Sequence, residues 1–245
     1  TAEMLQAVEK SQFDIINIAG SRVQDPQSFV SVAEICAKYI TKKRIVSPSN
    51  PAHMMPKIYY DIFPKLASHL LIYQVLNSSH RDYWLGLHLL WDKIWRESTG
   101  GSAPWENSIK TPYAVYNKDA DVGIILDTHP AISGSNLQIP DQYETADLAR
   151  ASASELGVFY AEGSGSSVPI VHIQNAAQKI FDKGYNDSWL IIGGGMGDPT
   201  VALERLRPCI KKVNVAIVLG DSLYRETPPV SAMAVAEAIK SYSPK

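Results

Sequence analysis

Three stretches of the chain carry residue types suited to one kind of chemistry. They are "EGSGSS" (Glu162 to Ser167), "GGGMGDP" (Gly193 to Pro199) and "LGDS" (Leu219 to Ser222). Each follows a short apolar run of strand character and precedes a helical pattern. Consecutive backbone N–H groups at such turns form a concave anion nest, and the next helix adds about half a positive charge at its N-terminus. Glycine costs roughly 0.5–1 kcal/mol in regular structure, so three in a row imply close approach to the main chain or positive φ. Phosphate resting on the backbone is the expectation. One such loop alone is as well explained by a tight turn; three in register point to a phosphate-bearing ligand. Glu162 closes the same strand that opens the first loop. A lone glutamate there is read either as a ligand-binding acceptor or as a structural ion-pair residue.

The elements that position these turns alternate. "TAEMLQAVEKSQ" reads as a helix capped by Thr1, with Met4, Leu5 and Val8 on one face. "FDIINIAG" is a strand. "DPQSFVSVAEICAKYITKK" is a helix capped by Asp25 with Pro26 in its first turn, lined by Phe29, Val32, Ile35 and Ile40. "RIVSPSNP" is a short strand running into a Pro-rich loop, and His69 to Asn77 is a continuous apolar strand. "YWLGLHLLWDKIW" is helical, and Arg96 to Ser108 reads as an exposed loop. "PYAVYNK" is a strand, with Val122 to Leu126 a short extra one. Helices follow from "DQYETADLARASASELG", "PIVHIQNAAQKIFDKG", "DPTVALERLRPC" and "PPVSAMAVAEAIKSYS". Strands come from "VFYAEG", "SWLIIGGG" and "VNVAIVLGDS". Apolar strands alternating with helices through short loops predict a parallel sheet buried on both faces. No linker or composition shift divides residues 1–245, so a single domain is expected.

Composition narrows the function. The 245 residues carry 23 Lys and Arg against 25 Asp and Glu, a net charge of −2, which gives no basic surplus for nucleic acid. No apolar run approaches the ~18 residues of a membrane span, and the N-terminus lacks the pattern of a signal peptide. A cytoplasmic location is expected, with any work at a membrane peripheral. Cys36 and Cys209 read as reduced core thiols.

The motifs "VLNSSHRDYWLGLH", "PYAVYNKDADV", "FYAEGSGS", "IIGGGMGDP" and "IVLGDS" occur in this order, after "INIAGSR" and "SPSNP". Together they resemble the geranylgeranylglyceryl phosphate synthase family, which includes the heptaprenylglyceryl phosphate synthases. The resemblance runs from about residue 5 to the C-terminus. It implies an α/β fold, a modified (β/α)8 TIM barrel. It implies a prenyltransferase that joins sn-glycerol 1-phosphate to a polyprenyl diphosphate, geranylgeranyl by expectation, with Mg2+. By motif match the glycerol phosphate would meet Tyr160, Ser164, Gly165, Gly194, Gly195, Gly220 and Asp221. Glu162 would hold the glycerol hydroxyls and accept the proton, with Tyr113 near the reacting carbon. Asn77, Trp84 and His88 would flank the prenyl groove. A greasy substrate implies an exposed apolar patch and homo-oligomers.

The chain departs from the family at its start. Seven of eight strands are counted; the first, whose aspartate helps hold Mg2+ in the family, is expected to be absent, which leaves Ser21 as the nearest match on the magnesium side. Other residues take plainer readings. Trp91, Trp95, Tyr59, Tyr60, Tyr73 and Tyr83 are expected to pack, and Ser47 and Ser49 to shape a turn. His53, His69, His80, His129 and His172 show no zinc spacing. Asp119 and Asp121 read as solvated loop charges. Two rival readings remain: a phosphate- or prenyl-phosphate-binding barrel without turnover, and another enzyme of small sugar phosphates.

Overall fold

Helix starts and stops follow local chemistry. Asp25 accepts from the N–H groups of Gln27 and Ser28, and Pro26 opens helix α2 (Pro26–Tyr39), as its sequence predicts. Thr1 Oγ1 accepts from Met4 N at 3.3 Å and starts α1 (Ala2–Lys10). A computed structural model describes residues 1–19, 25–48, 55–78, 88–117, 137–164, 166–220, 223 and 225–242. These fall into two compact units, residues 1–9 with 13–110, and residues 10–12 with 111–117 and 137–242.

The first unit holds β1 (Ile15–Ala19), β2 (Lys43–Ser47) and β3 (His69–Val75), paired in parallel and in chain order. With them stand α1, α2, α3 (Pro56–Ile62) and α4 (His88–Thr99). Phe29, Val46, Ile62 and Ile72 are fully buried in its core, beside Tyr59, Trp91 and Trp95. The two tryptophans and Tyr59 pack as expected, while Tyr60 is 64% exposed.

Four expectations for this unit are corrected. Residues 56–62 form a helix that the Pro-rich composition hid; Pro56 sits in its first turn, where its missing N–H costs nothing. Ile35 is exposed, and Val30 and Ala33 are buried with Phe29 instead, because at 100° per residue Ile35 lies far round the helix from Phe29. The exposed loop expected from Arg96 to Ser108 is partly helix: α4 runs to Thr99, and a 3-10 turn follows at Trp105–Asn107. Ala103 in that stretch is buried, and the Trp105 ring stacks near Trp91 at 6.5 Å. Ser47 does not shape a turn. It ends β2 fully buried, donates to Asn17 Oδ1 at 2.7 Å and accepts from Tyr73 Oη at 3.2 Å.

The second unit holds the parallel strands β4 (Ser108–Val115, from Thr111 onward), β5 (Val158–Glu162), β6 (Trp189–Gly193) and β7 (Asn214–Val218). Helices α5 (Gln142–Leu156), α6 (Ile170–Asp182), α7 (Pro199–Leu206) and α8 (Val230–Ser241) alternate with them. Asp141 and Glu144 make a reciprocal capping box at α5, and Gly157 closes that helix at φ 67°. Ala149, Phe159, Ile173, Ile180, Leu190 and Ile192 are buried between strands and helices. The short extra strand expected at Val122 to Leu126 lies outside the described residues.

Candidate functional site

Register brings the chemistry together. Tyr113 on β4 is the register partner of Tyr160 on β5, and Glu162 on β5 is the partner of Gly193 on β6. Side chains two apart on a strand share a face, so Tyr113, Tyr160, Glu162 and the Cα of Gly193 stand on one face at the strands' carboxyl ends. The Tyr113 and Tyr160 rings meet edge to face, centroids 4.6 Å apart at 82°. Both rings are buried.

The Glu162 carboxylate is held at both oxygens. Tyr160 Oη donates to Oε2 at 2.5 Å, and the Ser164 backbone N donates to Oε1 at 2.6 Å. Hydrogen bonds to an ionised acceptor are short and about twice as strong as neutral ones. The carboxylate therefore has a fixed direction.

Ser164 adopts φ 44°, uncommon for a residue with a side chain. Two contacts hold it there: its N–H on Glu162, and its carbonyl, which accepts from Asn117 Nδ2 at 2.9 Å. Its Oγ is buried and has no hydrogen-bond partner among the described residues. Buried hydroxyls are ordinarily paired, so this one marks a place for a polar ligand atom. Ser166 closes the turn by donating from both N and Oγ to the Gly163 carbonyl, at 3.0 and 2.7 Å. At the far end, Arg205 of α7 donates to the Val168 carbonyl.

The three consecutive glycines have a more specific use than phosphate contact alone. Gly163 N donates to the Gly193 carbonyl at 3.0 Å, which lays the β5 turn on the β6 turn. A Cβ at Gly194, whose φ is 80°, would lie 2.5 Å from the Ser166 carbonyl oxygen and 2.8 Å from the Gly163 Cα. A Cβ at Gly195 would strike Ser167 Oγ. The glycines let two neighbouring turns of the protein touch. Gly220 has open space around it: a Cβ there would meet nothing within 4 Å.

Of the residues singled out from the sequence, Tyr113, Tyr160, Glu162, Ser164, Gly194 and Gly195 are gathered at the β4–β6 ends. Gly220 follows β7 in the same unit. Asn77 is buried in the turn after β3, and His88 opens α4, both in the other unit. Gly165, Asp221, Trp84 and Ser21 lie outside the described residues, as do His53, His80, His129, Tyr83, Ser49, Asp119 and Asp121. Sequence reasoning placed Gly163 and Gly193 within the glycine loops without a role of their own, and missed Asn117. The run of three glycines was a signal for Gly193; nothing local in the sequence marked Asn117, whose bond to Ser164 spans 47 residues.

His172 is satisfied. Its Nδ1 meets Thr145 Oγ1 at 2.9 Å, and Tyr116 Oη donates to the same oxygen at 3.0 Å. Burial holds the imidazole below its usual pKa, against the opposing pull of Asp141, and pushes the Tyr116 phenol well up. Among the described residues no three His, Cys, Asp or Glu side chains gather as a metal site. No described helix is long and apolar enough to cross a membrane.

Parallel strands alternating with helices, and a polar constellation at the strands' carboxyl ends, define an α/β chain of TIM-barrel type. Over 98% of its length the structure is similar to crystalline (S)-3-O-geranylgeranylglyceryl phosphate synthase from Thermoplasma acidophilum, solved with its substrate sn-glycerol-1-phosphate; the TM-score is 0.67, the identity 20%, and 87% of that chain is covered. The fold implied by the motifs is therefore the fold observed. A weaker likeness, TM-score 0.47 at 11% identity over 98% of this chain and 80% of the other, is to the N-terminal domain of a Bacteroides vulgatus protein assigned as an aldolase. No protein-family model matches the sequence, and no curated protein matches it.

Proposed function

We propose that the chain is a prenyltransferase that joins the C3 hydroxyl of sn-glycerol 1-phosphate to a polyprenyl diphosphate, geranylgeranyl diphosphate in the first instance. The observation that carries this reading is the Glu162 carboxylate, fixed between the Tyr160 phenol and the Ser164 N–H at the edge of interlocked glycine turns. The fold likeness to a synthase solved with sn-glycerol-1-phosphate supports it.

In this reading the phosphate rests on the Gly194 and Gly195 amides and the Ser164 hydroxyl, since the Gly163, Ser164 and Ser166 amides bond within the protein, and the glycerol hydroxyls meet Glu162. The hydroxyl oxygen attacks C1 of the prenyl chain. The new C–O ether bond forms as the C1–O bond to diphosphate breaks, and that electron pair leaves with the diphosphate. The hydroxyl proton passes to the Glu162 carboxylate, a positioned acceptor of the kind worth roughly a hundredfold to ten-thousandfold in rate. C1 gains cationic character as the bond breaks, and the Tyr113 ring face or oxygen offers it electron density. Asn77, Trp84 and His88 are proposed along the prenyl groove.

The described residues do not fit a protein-held magnesium site, because they bring no three suitable ligands together. Magnesium remains part of the proposal as an ion carried by the diphosphate, whose oxygens are the usual ligands for Mg2+ in phosphate-handling enzymes. Self-association and peripheral work at a cytoplasmic membrane face complete the reading.

The test is product formation from sn-glycerol 1-phosphate and geranylgeranyl diphosphate, with Mg2+ against EDTA, by wild type and by Glu162→Gln. The expected result is an ether product that needs the metal and falls at least a hundredfold in Glu162→Gln. Glycerol phosphate binding without product would overturn turnover and favour a binding barrel. Neither product nor binding would favour an enzyme of other sugar phosphates.

A further inference from the structure

Gly193 is placed unlike the glycines that follow it. Its register partner across the sheet is Glu162. A Cβ built on Gly193 would lie 2.0 Å from Glu162 Oε2, 3.0 Å from its Cδ and 2.5 Å from Tyr160 Oη. The space where a side chain would stand on β6 is already filled, by the carboxylate and phenol leaning over from β5. We propose that Gly193 is a positioning residue: its missing side chain lets Glu162 lie over β6, where Tyr160 and the Ser164 N–H can both reach it. This rests on the reading of Glu162 as proton acceptor.

The geometry separates this role from a folding role. Gly194 and Gly195 have φ of 80° and 65°, in the region that favours glycine, whereas Gly193 is an ordinary strand residue with no positive φ. The Cβ of Gly194 would meet backbone atoms of Ser166 and Gly163, which cannot swing aside. The three atoms nearest the Cβ of Gly193 all belong to side chains, the Glu162 carboxylate and the Tyr160 hydroxyl, and none to the backbone. Alanine at 193 is therefore compatible with β6 but not with the carboxylate in its present position. The sheet would survive and the site would not.

The displaced group has few places to go. Oε2 is the atom bonded to Tyr160, and Oε1 the atom bonded to Ser164 N. Moving the carboxylate off β6 breaks at least one of these bonds. The Oε2 bond to Tyr160 stands nearest the added methyl, and where the Oε1 bond goes with it Ser164 loses one of the two contacts that hold its left-handed backbone. A single methyl group thus acts on the acceptor and on the turn together.

The experiment uses Gly193→Ala, Glu162→Ala and the double variant, with Gly194→Ala as a folding control. Melting temperature, steady-state kinetics, calorimetric titration with sn-glycerol 1-phosphate, and a crystal structure of Gly193→Ala are measured. The expected Gly193→Ala protein melts within about 4 °C of wild type. Its crystal structure shows the Glu162 carboxylate moved off β6, with its bond to Tyr160, to the Ser164 N–H or to both broken. Its kcat falls about a hundredfold, and the double variant is no slower than Glu162→Ala alone, as expected for residues acting as one unit. Gly194→Ala is expected to melt lower. Activity of Gly193→Ala within threefold of wild type, or losses that multiply in the double variant, would overturn the proposal. A wild type with neither turnover nor binding would sink the prenyltransferase reading instead. The crystal structure then decides Gly193 alone: an undisturbed Glu162 with alanine beside it overturns the positioning role.

Discussion

Asn117 shows how one side chain can serve a site without touching its ligand. It follows β4, yet its amide reaches the carbonyl of Ser164 in the next strand's turn. An ordinary hydrogen bond contributes about 0.5–1.5 kcal/mol net. Asn117→Ala is accordingly expected to weaken sn-glycerol 1-phosphate binding about threefold to tenfold, read by calorimetry, with little change in melting temperature. Unchanged affinity would mean that Ser164 keeps its backbone from its own turn and from Glu162. The residue scale also marks what sequence can carry. Glu162, Tyr160 and the glycine runs were legible because each sits in a short motif whose chemistry is local. Asn117 was not, because its importance comes from pairing β4 with β5. The partnership of Gly193 with Glu162 was equally hidden, since strand register is a property of two segments at once.

At the scale of elements, caps and stops were the most legible features. Asp25, Gly157 and the capping box of Asp141 and Glu144 act within one turn of chain. The helix at residues 56–62 was hidden because proline signals a loop as readily as a helix start. Trp105 and Ala103 were read as loop because their burial depends on α4 and α3 packing beside them, which no local pattern records. The junction of β4, α5 and α6 yields a pH prediction. His172 faces Thr145 and the Tyr116 ring, with Asp141 as the nearby charge. Burial lowers its pKa from the usual 6.5, so the folded state prefers the neutral ring. A depressed pKa contributes stability that is present above the unfolded value and lost as pH falls through the folded one. Melting temperature is therefore expected to drop from pH 7 towards pH 5, and His172→Gln to drop less over the same range. Parallel pH profiles for the two proteins would refute this.

For the whole molecule, binding is coupled to stability. A ligand that binds only the folded chain at a hundred times its Kd adds about 2.7 kcal/mol. For a chain of 245 residues that is a rise of several degrees in melting temperature, since about 1 kcal/mol shifts a domain of this size by roughly 2–4 °C. Saturating sn-glycerol 1-phosphate is expected to give this rise in wild type and a smaller one in Glu162→Ala. Inorganic phosphate should give part of it, since it meets the turns but not the carboxylate. An equal rise with both ligands would place all recognition on the phosphate and none on the glycerol hydroxyls.

The bond from Gly163 N to the Gly193 carbonyl, and the close fit of Gly194 against Ser166 and Gly163, bear on how such a chain can be inherited. Barrels of repeated strand–helix units invite exchange of single units by recombination or by design. Here two consecutive units share one interlocked pair of turns, each shaped to the other's lack of side chains. A crossover between β5 and β6 would bring together turns that had not been matched, and one between β4 and β5 would part Asn117 from Ser164 and Tyr113 from Tyr160. The stretch from Thr111 to Leu206 is thus best exchanged whole, and it carries both the carboxylate and the floor beneath it.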